Sequence, residues 1–220
     1  MTMKHRPISE AEIFQALFAL LGAVSLQILT TRFGANVVPG AHYFIVFAEL
    51  VLAALLAFSI NLRRARIWGL HHVFAVGLLG LISIANVSGL VFVLNSLIVG
   101  HGTLVGEQLL ASAITIFLTN IIVFALWYWE IDSPGLTNAR WSKNEKDFQF
   151  TQQDLSREFP NWQPQFGDYL YLSVTNAVNF APADSRPITL QAKMLMSLQA
   201  LISVFTLALL IARSVSILGS

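Results

Sequence analysis

Charged residues are missing from this chain over runs of 19 residues or more, the first of them Ile13 to Thr31. About 20 apolar residues wound as a helix cross the roughly 30 Å of hydrocarbon in a bilayer. Such runs restrict the chain to an integral membrane fold. Composition agrees: of 220 residues, 55% are hydrophobic and 11% charged, against roughly 25% charged in a soluble domain, and the mean hydropathy is +0.66. This excludes a soluble enzyme, a nucleic-acid binder and a secreted disulfide scaffold. Zero cysteine excludes disulfides, thiolate metal sites and a cysteine nucleophile.

Five runs read as spans: Ile13 to Thr31, Ala41 to Leu62, Val73 to Val99, Leu109 to Trp129 and Met194 to Ala212. All are expected to be helices, because none shows the ten-residue alternation of a barrel strand and each must satisfy its own backbone. The chain then divides into a four-helix transmembrane region over 1–129, a polar acidic cap over 130–167, and a last segment, 168–220, ending in the fifth helix. From Glu130 to Asp168 the cap holds seven acids against four bases, which suits either a solvated loop or a vestibule that gathers cations. Lys4, Arg6, Arg63, Arg64 and Arg66 favour a cytoplasmic N-terminus by the positive-inside rule. Five spans would then place the cap inside as well.

Residues 168 to 184 are too short to span. Tyr169 to Val178 offers about ten helical residues, or roughly 15 Å, and Pro182 forbids a continuing helix. A half-length helix, an irregular stretch and then a full span is the layout of a re-entrant loop, which survives at membrane depth only where protein or water surrounds it. The alternative is a helix lying flat in the interface. Ser173, Thr175, Asn176 and Asn179 give the segment the polar content of a wet wall.

The helix, loop and helix resemble the pore module of the tetrameric potassium channel superfamily. Against that family's Thr-Val-Gly-Tyr-Gly-Asp run, this chain has Ser173, Thr175 and Asn176 upstream, Asn179-Phe180-Ala181-Pro182-Ala183-Asp184 at the filter, and Pro187 and Thr189 after it. Asp184 and Pro187 match; the filter does not. Ala181 and Ala183 replace glycines, and Pro182 has a fixed φ, so a carbonyl cage of the potassium type is not expected. The resemblance implies instead a homo-oligomer, a tetramer by analogy, that selects small cations by side chains, with Thr175 and Asn179 as neutral oxygens, Asp184 as a charged ring near the mouth, and Asn176 among the pore candidates. It also implies a module open to the outside, opposite to the face given by the Lys and Arg distribution. A second resemblance covers roughly the last three quarters of the chain. Asn61-Leu-Arg-Arg, Leu118 to Asp132, Asp168 to Asn176, Phe180 to Asp184 and Ile211 to Leu218 are similar to a group of bacterial inner-membrane proteins with no established activity, which implies that location and no catalytic residue.

Other residues fit supporting roles. Glu49 is an acid inside a span and a functional candidate for that reason. The Arg63, Arg64 and Arg66 cluster reads as an anchor for anionic lipid, and Trp127-Tyr128-Trp129 as an interfacial aromatic belt. Asn86, Ser88, Gly89, Asn95, Ser96, Thr119 and Asn120 are expected to face neighbouring helices. His42, His71, His72 and His101 lack metal-ligand spacing. The expectation is an all-α membrane protein with about five spans, in contact with the lipid bilayer, neither an enzyme nor dependent on a cofactor. Its function is expected to be a cation pore, or alternatively a non-conducting scaffold that recruits a partner through the cap.

Overall fold

The computed structural model describes residues 10–33, 51, 68–99, 106–132, 146–160, 162–179 and 184–218. Five long or intermediate helices dominate the described residues: α1 (Glu10–Phe33), α2 (Trp68–Val99), α3 (Gly106–Asp132) and, after the cap, α5 (Phe166–Asn179) and α6 (Leu190–Leu218). The cap contributes β1 (Phe148–Phe150) and the single turn α4 (Thr151–Asp154), and β2 (Ser185–Pro187) leads into α6 (Leu190–Leu218).

Three of the expected spans stand as helices long and apolar enough to cross a bilayer: Ala75–Ser96, Glu107–Asp132 and Leu190–Ala212, of 22, 26 and 23 residues. In α1 the apolar part described is shorter, Phe14–Leu26. The expected span Ala41 to Leu62, with Glu49, lies outside the described residues apart from Val51.

α3 is the central helix and packs against α1, α2, α5 and α6. Its sequence accounts for that position. Apolar and small polar side chains alternate around all sides, so Ala113, Ile116, Phe124, Ala125, Leu126 and Ile131 are buried together with Ser112, Thr119 and Asn120. The outer helices bury one face and turn the other outward, exposing Phe14 and Phe18 on α1 and Leu190, Met194 and Ile211 on α6, as helices bordering hydrocarbon do. A Cβ added at Gly89 of α2 would stand 3.6 Å from Ile116 Cδ1, an ordinary packing distance, so α2 faces α3 here without needing the glycine. Asn86 is buried as expected, whereas Ser88 and Asn95 are exposed.

The aromatic-belt reading of Trp127-Tyr128-Trp129 is overturned for its last two members. Tyr128 and Trp129 are fully buried within protein, and Trp127 donates from Nε1 to Ser83 Oγ at 3.0 Å. An interfacial ring needs lipid beside it, and here α2, α5, α6 and the cap occupy those directions.

Candidate functional site

α5 starts with a built N-terminus. The Asp168 carboxylate reaches back to accept from Gln165 N at 2.7 Å, the reciprocal half of a capping box and a favourable charge for the helix dipole. The helix then runs antiparallel to α3. Phe166 meets Trp129 edge-on with ring centroids 5.5 Å apart, and Ser173, two turns further, donates to Ile121 O at 2.6 Å. Ile121 lies near the middle of the apolar segment Glu107–Asp132.

At that depth a polar network joins α3, α5 and α6, with Gln199 as its hub. Gln199 Oε1 accepts from Tyr128 Oη at 2.5 Å and from Asn176 Nδ2 at 2.8 Å, while its Nε2 donates to Ser173 O at 3.0 Å and Ser173 Oγ at 2.6 Å. Asn176 Nδ2 also reaches Met196 O at 3.0 Å, and Asn120 Nδ2 donates to Ser203 Oγ at 3.0 Å. Gln199, Ser203, Asn120 and Ser173 have no more than trace exposure. The side chains of this network find partners on other helices, whereas Asn120 Oδ1 and, elsewhere on α3, Ser112 Oγ and Thr119 Oγ1 are buried without one.

A second junction lies at the C-terminal end of α3. Asp132 accepts from Asp147 N at 2.5 Å, Phe148 N at 3.0 Å and the Tyr169 hydroxyl at 2.6 Å. Asp147 is fully buried; its Oδ1 accepts from Thr189 Oγ1, and its Oδ2 has no partner. Thr189 also caps α6, because its Oγ1 accepts from Ala192 N at 3.2 Å. Around these groups Phe148, Phe150 and Tyr169 pack edge to face, with Trp162 against Phe150. Since Thr189 stands beside Asp147 and Ser203 beside Asn120, α6 also runs antiparallel to α3.

Asp184, the next residue described after α5, lies at this upper junction. Asp184 O accepts from Thr151 N at 3.0 Å and from Thr151 Oγ1 at 2.9 Å. β2 pairs antiparallel with β1 in the register Phe148↔Pro187, Gln149↔Arg186 and Phe150↔Ser185. The exposed Asp184 carboxylate lies at the Tyr171 hydroxyl and accepts its hydrogen bond.

The expected site residues therefore separate. Asn176 is buried in the Gln199 network. Thr175 is half-buried and returns its hydroxyl to Tyr171 O and Leu172 O, both at 3.0 Å. Asn179 and Asp184 are exposed, and Phe180, Ala181, Pro182, Ala183 and Glu49 lie outside the described residues. Of the cap acids read as a possible cation vestibule, Glu130 and Asp147 are buried, Asp132 is taken up by three donors, Asp168 caps α5, and Asp154 pairs with Arg186 at 2.7 Å. Most of that charge serves structure. Among the described residues no group of three or more His, Asp or Glu is gathered for a metal ion. Gln199 and Ser203 were not anticipated, although a glutamine in the middle of an apolar run, with a serine four residues on, marks one polar face of that helix.

No protein-family model, curated protein or solved structure matches the chain.

Proposed function

We propose that the protein is a channel-like pore for small cations, built as a homo-oligomer in a bacterial inner membrane, with α5 as a re-entrant half-helix. One observation carries this reading: α5, only 14 residues long, lies antiparallel along the C-terminal half of a membrane-length helix, and Asp184 is back beside Thr151 before α6 begins. A half-length helix that ends near mid-span has to be surrounded by protein or water, and the Gln199 network supplies protein on one side of α5. Selection then rests on the residues left free by the network. Asn179 and Asp184 are exposed, whereas Ser173 and Asn176 are committed within the chain. In liposomes the purified oligomer is expected to pass small cations, with Asn179→Ala and Asp184→Asn altering selectivity or conductance. Silence across the common cations in well-folded oligomers contradicts the proposal.

The exposed face of α5, with Tyr171, Val174 and Val178, favours a second reading: it is apolar, as a lipid-facing or partner-facing surface would be. A non-conducting scaffold that recruits a partner through the cap uses the same fold. Deleting residues 155–163 would then abolish a copurifying partner while leaving liposome flux absent in both forms.

A further inference from the structure

Residues 184–189 are held mainly by the cap, with the Tyr171 hydroxyl of α5 on the Asp184 carboxylate besides. The backbone hydrogen bonds described for Asp184 to Ile188 run to residues 147–151: Thr151 N to Asp184 O at 3.0 Å, Ile188 N to Asp147 O at 2.8 Å, and the three-residue ribbon of β1 with β2 between them. Side chains repeat the pattern, with Thr151 Oγ1 on Asp184 O, Thr189 Oγ1 on Asp147, and Arg186 on Asp154. The same cap strand is rooted on Asp132 through the amides of Asp147 and Phe148, and Asp132 in turn holds Tyr169 of α5. The cap therefore grips the returning chain on one side and the start of the half-helix on the other.

The grip is weak compared with what lies beneath it. Two strands of three residues are marginal by themselves. The Arg186–Asp154 pair is largely exposed, with side chains 76% and 43% accessible, where ion pairs contribute little. Its root sets two carboxylates side by side and leaves Asp147 Oδ2 buried without a partner, an arrangement that burial penalises. By contrast, Gln199 makes four bonds in the bundle core. Opening starts where the free-energy cost is least, and that is between the cap and residues 184–189.

We infer that the cap is a conformational clamp on residues 184–189: β1 and Thr151 fix the Asp184 backbone at one position, and undocking of β1 from β2 frees that backbone and the start of α6, with the Asp184 carboxylate still facing the Tyr171 hydroxyl, while the Gln199 network stays closed. Its regulatory consequence rests on the pore reading, since a displaced Asp184 changes the charge at the mouth; the movement itself does not depend on conduction. The occupant in the clamped state is this chain's own cap, and no ligand is required.

The chain has no cysteine of its own, so Gln149→Cys with Arg186→Cys, register partners across the ribbon, makes a lock that a reductant opens. Hydrogen exchange reads the clamp directly. The Thr151 and Ile188 amides are expected to exchange together, at least tenfold faster than the amides of Asn120 and Gln199, and the formed disulfide slows both at least tenfold. Exchange of these two amides only at the rate of the bundle core overturns the clamp, as does a formed disulfide that leaves them unchanged. In liposomes the oxidised and reduced forms should differ severalfold in flux, reversibly; equal flux through both overturns the regulatory consequence. A wild-type protein that passes no ion overturns the pore reading alone, and hydrogen exchange then decides the clamp.

Discussion

Two polar junctions hold α5, and they are built from different chemistry. The lower one joins Asn120, Tyr128, Ser173, Asn176, Gln199 and Ser203, all neutral, each short enough or rigid enough to be fixed by helix packing. The upper one gathers Asp132, Asp147, Tyr169 and Thr189, with two carboxylates and an oxygen that finds no donor. Neutral amides and hydroxyls can be buried at mid-span because each lost water contact is replaced by a partner. Carboxylates at the end of a span sit nearer to water, where an imperfectly paired charge is tolerated. The contrast assigns rigidity to the bundle and adjustability to the cap.

Breaking the lower junction is expected to have the largest effect. Gln199→Leu removes four hydrogen bonds and leaves the Tyr128 hydroxyl without its acceptor, while Asn176 Nδ2 keeps Met196 O and Tyr128 Oη; at somewhat under about 1 kcal/mol for each lost bond it should cost about 3 kcal/mol. Unfolding of the solubilised protein in denaturant measures it. Asp132→Ala strands two backbone amides and removes one acceptor of the Tyr169 hydroxyl, for a loss of about 2 kcal/mol, and the distinction lies in where it falls. Limited proteolysis is expected to cut within residues 155–163 while the helical circular dichroism persists; a uniform loss of helix would erase the difference between the junctions. Tyr128→Phe removes one hydroxyl from the lower network and should cost about 1 kcal/mol in the same unfolding assay. Asp147→Asn sharpens the comparison, because it removes the unpaired charge and keeps an acceptor for Thr189. Stability should stay within about 1 kcal/mol of wild type or rise, the opposite of an amide-to-apolar change in the core. Arg186→Ala, which removes a surface ion pair, should shift stability by less than about 0.5 kcal/mol.

Much of the fold was legible because hydrophobic length is a local property. Val73 to Val99, Leu109 to Trp129 and Met194 to Ala212 predict three helices whose apolar segments stand at Ala75–Ser96, Glu107–Asp132 and Leu190–Ala212. The half-helix expected over Tyr169 to Val178 is the inner part of Phe166–Asn179, extended at its start by the Asp168 cap. Partnerships were not legible. Asn176 meets Gln199 across 23 residues of chain and Tyr128 meets it across 71, and no spacing rule connects positions on different helices. For the same reason Tyr128 and Trp129 resembled a belt: aromatic residues at a span's end look alike in sequence whether lipid or a folded cap lies beside them. The cap acids misled in a similar way, because a carboxylate that accepts amide hydrogens reads in composition as one that faces water.

The central claim is that α5 descends beside α3 instead of lying in the interface, and spin labels of known depth dependence test it directly. Gly167→Cys and Val178→Cys, both at exposed positions, lie eleven residues apart on α5, or about 16 Å along a helix axis. Accessibility to dissolved oxygen against a water-soluble nickel chelate should place the label at 178 at least 10 Å deeper than the label at 167. Equal, shallow depths at the two positions would contradict the account.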